Sequence, residues 1–222
     1  MRHSLEIDSV SKSFEYKKIL TDVYLKCETS DIIGVFGRNG SGKSTLLKII
    51  YGIENADNKF LKIDCKVLNK GYSENNSIGY LPQHNYIPKN FTVQKVISLC
   101  LNKEKQSLFY DDDDIKKIID YKTGILSGGE LRYFCVKLLL FGSTKFCLLD
   151  EPYSGLSPIY ADKINKLIID NSCDKGIIIT DHNYQYLLDI ATKIFLIKDG
   201  YGRFLNNKNE LIANGYLSIG MI

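Results

Sequence analysis

Ile32-Ile33-Gly34-Val35-Phe36-Gly37-Arg38-Asn39-Gly40-Ser41-Gly42-Lys43-Ser44-Thr45-Leu46-Leu47 is the stretch whose reading decides the fold. It opens on a continuous apolar run, as a strand buried on both faces of a parallel sheet does. It closes on Leu46, Leu47, Ile49 and Ile50, apolar at helical spacing. Between the two, Gly37 to Ser44 match G-x-x-x-x-G-K-[ST] in the strand–loop–helix context that this pattern needs. Such a loop wraps backbone N–H groups around phosphate oxygens, and the helix start adds its positive end. Lys43 is placed to reach the β- and γ-phosphates of a nucleotide, and the Ser44 hydroxyl to bind Mg²⁺. Thr45 adds a contact to the α-phosphate. Gly37, Arg38, Asn39, Gly40, Ser41, Gly42, Lys43, Ser44 and Thr45 are therefore the expected phosphate cradle. Lys43 is read as an exposed side chain that contributes little to the core.

Working outward, Phe146-Cys147-Leu148-Leu149-Asp150-Glu151 is a second apolar strand, ending in two acids. Alone that ending is commonplace. Beside a phosphate loop, Asp150 can hold Mg²⁺ through water, and Glu151 can face the terminal phosphate as general base. Ile177-Ile178-Ile179-Thr180 is a third buried strand, and residues 193–198 and 202–205 can pair across Asp199-Gly200. Near the N-terminus, Leu5, Ile7 and Ser9 alternate with Glu6, Asp8 and Val10, as in a strand. Helices are predicted over 92–101, with Thr92 as N-cap, over 127–142, and from Ser157-Pro158, where the serine hydroxyl caps and proline takes the first turn. The order gives an α/β fold with a mainly parallel sheet, an N-terminal antiparallel β region and an inserted α-helical segment. As one domain over 1–222, the core is 1–83 with 140–222, and the helical insertion is 84–139.

The formal net charge of +3 makes no electrostatic case for nucleic acid or an anionic membrane surface. Six cysteines, at 27, 65, 100, 135, 147 and 173, have no CxxC spacing and read as buried reduced thiols, suited to a reducing cytosol. Charges interrupt the first residues too early for a signal peptide. No stretch has the roughly 18 apolar residues that span a bilayer. Asp111 to Asp114 lead into Ile115, Ile118 and Ile119. A solvated helix start is the ordinary reading of that run, and a divalent-cation site the sharper one.

Leu126-Ser127-Gly128-Gly129-Glu130 is, by itself, a serine-capped helix start able to receive an anion. In its order, after the phosphate loop and before the Asp150-Glu151 strand, it resembles the signature of the ATP-binding cassette (ABC) ATPases, and the likeness runs over nearly the whole chain. The resemblance implies a P-loop NTPase core of RecA type that binds ATP with Mg²⁺. Ser127, Gly128, Gly129 and Glu130 would then touch the ATP held by another cassette. Gln83 matches a glutamine that reaches Mg²⁺ and the attacking water, and His182 a histidine that contacts the γ-phosphate. Phe14, with Tyr16 as competitor, falls where the family stacks an aromatic on adenine; a core strand aromatic is the alternative.

Ser154-Gly155-Leu156-Ser157 departs from the family pattern, with Ser157 in place of an aspartate, and Arg132 stands as the lone arginine after the signature. The resemblance further implies a homodimer or a heterodimer with another ABC ATPase. A separate transmembrane permease would hold the protein at the cytoplasmic face of the membrane. The alternative is a soluble ABC ATPase without a transport role, such as a metal-cluster assembly factor.

Overall fold

The computed structural model describes residues 2–68 and 77–218. The chain opens with β1 (Ser4–Phe14), β2 (Lys17–Glu28), β3 (Ile32–Phe36) and α1 (Lys43–Tyr51). β4 (Asn58–Ile63), β5 (Lys66–Val67) and β6 (Ile78–Leu81) follow. Then come α2 (Val93–Cys100), α3 (Lys103–Tyr110), α4 (Asp113–Ile118) and α5 (Gly128–Phe141), before β7 (Phe146–Asp150). The last third runs α6 (Pro158–Ser172), β8 (Gly176–Thr180), α7 (Tyr184–Ile190), β9 (Lys193–Lys198), β10 (Tyr201–Leu205) and α8 (Asn209–Ala213).

The strands form two sheets. One is antiparallel, in the order β2-β1-β4-β5; the other runs β10-β9-β3-β8-β7-β6. In the second, β3 lies between β8 and β9 and is parallel to both. Only β10 runs against its neighbour, through a turn at Asp199 (φ 53°) and Gly200 (φ 84°) that matches a hairpin's twist. All five residues of β3, of β7 and of β8 are buried, as the apolar runs require. The large sheet separates two apolar cores. Ile33 and Val35 pack toward β1 and α1 on one face, while Ile32 and Phe36 pack toward α5 and α6 on the other. Every strand end that precedes a functional loop is thus clamped from both sides.

Several local expectations shift. The alternation in β1 does not run through: a register shift between Ile7 and Val10, with Ser9 at φ 55°, turns Val10 inward beside Leu5 and Ile7. Thr92 caps α2 as predicted, accepting from Lys95 N at 3.2 Å. Ser157 occupies the N-cap of α6, but its hydroxyl makes no cap bond, so Pro158 alone marks that start. Cys27, Cys135 and Cys147 are buried free thiols; Cys65, Cys100 and Cys173 are exposed, because they fall in a turn and at two helix ends.

The acidic run opens a helix, as its ordinary reading has it, and two of its acids also reach neighbouring helices. Asp112 caps α4, accepting from Asp114 N (2.9 Å) and Ile115 N (3.2 Å). Its Oδ2 also accepts from Lys137 Nζ and Tyr133 OH of α5, each at 2.6 Å. Asp114 pairs with Lys163 of α6. These acids fasten α4 to α5 and α6. Among the described residues no group of His, Cys, Asp and Glu is clustered to hold a metal, and no helix is long and apolar enough to cross a membrane.

Burial alone would raise the Asp112 carboxyl, but the bonds from Lys137 and Tyr133 hold it below the usual carboxylate value. An acid held low in the fold stabilises above its unfolded value and loses that contribution as pH falls. Asp112→Asn keeps the cap and removes the charge. It should cost roughly 1.5–3 kcal/mol near pH 7, and the gap to wild type should close on acidification, as read by urea unfolding across pH.

Candidate functional site

The phosphate loop leaves the C-terminal end of β3 and runs into α1. Gly42 sits at the N-cap of α1 in the left-handed region (φ 100°), with Leu20 and Ile19 against it, so a side chain there meets strain and collision at once. Lys43 is buried, not exposed as the sequence suggested: its stem lies in the wall, and Nζ donates to Gly37 O at 2.7 Å and Arg38 O at 3.3 Å. Burial pulls its ammonium below the ordinary lysine value, against the carboxylates of Glu151, Asp150 and Asp181, which raise it. The Ser41 hydroxyl is buried without a partner, a polar atom left for a ligand to meet.

Across the loop, β7 delivers its two acids in different surroundings. Asp150 is 1% exposed, and three hydroxyls converge on it: Ser44 (2.8 Å) and Thr180 (2.7 Å) on Oδ1, Tyr80 (3.0 Å) on Oδ2. Thr180 and Asp150 meet because they are register partners at the ends of β8 and β7. The hydroxyl of Ser44 beside one carboxylate is a hard-oxygen set that fits Mg²⁺, which takes few protein ligands at phosphate sites and fills its shell with phosphate and water.

Glu151 stands in the left-handed region (φ 52°), unfavourable for a side-chain-bearing residue. That conformation turns its carboxylate out of the strand into the cleft. Gln83 Nε2 donates to Oε2 at 2.8 Å, and His182 Nε2 lies 2.8 Å from Oε1. Gln83 thus meets Glu151 rather than the Ser44–Asp150 pair.

A buried guanidinium holds this geometry. Arg132, on α5, donates to Pro82 O (2.7 Å), Asp150 O (2.6 Å) and Glu151 O (2.8 Å). Asp181, whose carboxyl burial raises, accepts from Tyr153 N (2.9 Å) and Asn183 N (2.8 Å) and so ties the loop after β7 to the turn that carries His182. Sequence reasoning gave Arg132, Thr180, Tyr80 and Asp181 no role. Only the β7–β8 pairing could have pointed to Thr180.

Phe14, Ile19, Asn39, Gly40, Gly42, Lys43, Ser44, Thr45, Glu151 and His182 line one open cleft of about 420 Å³. A larger cavity, about 630 Å³, lies beyond the loop against Leu196–Gly200 and Asn214–Tyr216. Neither Asp150 nor Glu151 lines it, whereas Lys43, Glu151 and His182 line the smaller one. Phe14 is 46% exposed, not a core aromatic, and Tyr16 is fully in solvent. Arg38 turns away from the cleft to Gly215 O. Ser127, Gly128, Gly129 and Glu130 are not among the residues that line the cleft. There Ser127 accepts from Glu130 N, while the Glu130 carboxylate takes Ser127 N and Oγ at 2.8 Å, a capping box. Glu130 therefore serves the cap, and the two glycines present the bare helix start.

Comparison with known proteins agrees with this geometry. Residues 20–154 match the family model described as ABC transporter. The lipopolysaccharide export system ATP-binding protein LptB of Haemophilus influenzae is 31% identical over 88% of this chain and 87% of its own length. LptB of Escherichia coli K12 is 28% identical over 89% and 88%. In fold, the chain superposes on a nucleotide-free ATP-binding cassette from an ABC transporter with a TM-score of 0.80, at 22% identity over 95% and 94%. It matches a bacterial Atm1-family ABC exporter with ATP bound at 0.82, with 18% identity over 96% of this chain and 40% of that one. The chain belongs to the ABC transporter family, as an ATP-binding subunit that hydrolyses ATP to drive transport through a membrane permease.

Proposed function

We propose that Glu151 is the general base of this ATPase, and that the cleft takes ATP with its phosphates over Gly37–Thr45 and its adenine on Phe14. The observation that carries the reading is the convergence of Gln83 and His182 on the two oxygens of Glu151 at the mouth of the phosphate loop. Held from both sides, the carboxylate can take a proton from water in line with the terminal phosphate. His182 is half exposed and can swing from Glu151 to that phosphate. Gln83 can exchange Glu151 for the same water. Lys43 would turn from its loop carbonyls to the β- and γ-phosphates. Ser44 and Asp150 would hold Mg²⁺, whose part is to offset charge on the transferring phosphoryl group.

The helix start at Ser127-Gly128-Gly129 is polar, and beside Gly128 a Cβ would meet nothing within 4 Å. It fits the ATP of a second cassette, identical or different, so that two ATPs are sandwiched and a dimer closes on binding. A separate permease would meet the helical segment 84–139, which holds the protein at the cytoplasmic face of the membrane. The relatives named as export proteins support a membrane setting.

Three outcomes test this. Lys43→Met keeps the buried stem and removes the ammonium; it should fold, as judged by thermal unfolding, yet lose ATP binding and hydrolysis. Turnover should vanish in excess EDTA and return on adding Mg²⁺. Glu151→Gln should slow hydrolysis about 10²–10⁴-fold while still binding ATP, and size-exclusion chromatography should show a dimer with ATP that Ser127→Arg abolishes. Wild-type turnover in Glu151→Gln would remove Glu151 from the role of base.

A further inference from the structure

The cleft has one wall that the chemistry above does not use. Lys12 is a buried cation, 9% exposed, on the strand that carries Phe14. The register shift at Ser9 sets the phase of this half of β1, so that Val10, Lys12 and Phe14 follow one another at every second residue. Lys12 Nζ lies 4.5 Å from the centroid of the Phe14 ring. It also donates to Asn55 O at 2.7 Å and pairs with Glu54 Oε1 at 2.7 Å. Glu54 is in turn bound to the phosphate-loop helix, its N–H donating to Lys48 O of α1 at 3.3 Å. One buried ammonium therefore joins the aromatic wall of the cleft to the far end of the helix that begins with Lys43.

We propose that Lys12 is a positioning residue for nucleotide binding: it braces one face of Phe14 and fixes that ring against α1, so that the ring and the phosphate loop are held at the separation one nucleotide spans. The inference rests on the reading of Phe14 as the base platform. The physical grounds are two. Phe14 stands next to a hairpin tip, followed by Glu15 at φ 51° and the fully exposed Tyr16, and the Lys12 ammonium is a contact that restrains it. A ring already set in place loses less freedom when a base stacks on it, and a cation on one face of the ring is attracted to its π cloud without blocking the other.

The test is calorimetric titration of the full chain with ATP and, separately, with inorganic tripolyphosphate, which has no base. Lys12→Met keeps the stem and loses the charge. It should weaken ATP binding about five- to tenfold and leave tripolyphosphate binding unchanged, with KM for ATP raised and kcat at saturation kept. Lys12→Arg should restore ATP affinity. Should Lys12→Met fail to fold, Glu54→Ala removes the side chain that ties Lys12 to α1 and should show the same selective loss to a smaller degree. Unchanged ATP affinity in the folded variant, or an equal loss for both ligands, overturns the proposal. Phe14→Ala separates the two readings. If it weakens ATP alone while the Lys12 variants do not, only the role of Lys12 falls. If Phe14→Ala leaves ATP affinity intact, the base platform falls and the proposal with it.

Discussion

The site depends on one buried guanidinium. Arg132 is 5% exposed, and among the described residues no carboxylate is bonded to it; its charge is met by the carbonyls of Pro82, Asp150 and Glu151. Carbonyl dipoles can hold a buried cation only if several point at it together. That demand fixes three backbone segments relative to α5: the residue before Gln83, the end of β7, and the strained Glu151 itself. Burial pulls the guanidinium below the ordinary arginine value, with Cys135 and the acids Asp181, Asp150 and Glu151 opposing. The left-handed backbone at Glu151 persists because the surroundings over-determine it. Its carbonyl is held by Arg132, and its N–H donates to Thr180 O at 2.8 Å.

The same residue ties the capped helix start at Ser127 to the catalytic loops, since α5 carries both. Gly128 and Gly129, which we propose meet a neighbouring nucleotide, lie one turn from the arginine that bonds the carbonyls of Pro82, Asp150 and Glu151. Tyr160 of α6 packs 3.0 Å from where a Cβ on Gly129 would sit, and Tyr133 leans on the same ring. Contact at the helix start therefore has a short mechanical route to the acids, through packed side chains and one guanidinium.

What was legible in the sequence was whatever is local or periodic. The phosphate loop is contiguous, so Gly37–Thr45 could be read directly. The buried strands announced themselves by apolar runs, and Asp150 and Glu151 by ending one. Gln83, His182 and Phe14 came from resemblance, because nothing within a few residues of them specifies their partners. What could not be read is long-range and carries no pattern. Arg132 bonds carbonyls 18, 19 and 50 residues away, and carbonyls leave no mark in a sequence. Thr180 and Tyr80 look like ordinary strand residues until the pairing of β6, β7 and β8 brings them to Asp150. The slip at Ser9 broke an alternation that looked regular, since a bulge needs only one extra residue. Ser157 shows the opposite failure: a good capping residue in the capping position whose hydroxyl goes unused.

The placement of β3 has a consequence for biosynthesis. Both of its hydrogen-bonding neighbours, β8 and β9, begin after residue 175, although β3 itself ends at Phe36. A chain emerging from the ribosome therefore carries its phosphate loop for some 140–160 residues before the strands that flank it exist. Until then β3, the strand from which the loop springs, lacks both of its hydrogen-bonding neighbours. β3 is flanked only after β8 and β9 have been made, and such late, non-local closure is slow. An apolar strand left waiting while β4 to β7 are made is a segment on which a cell's folding assistance would act.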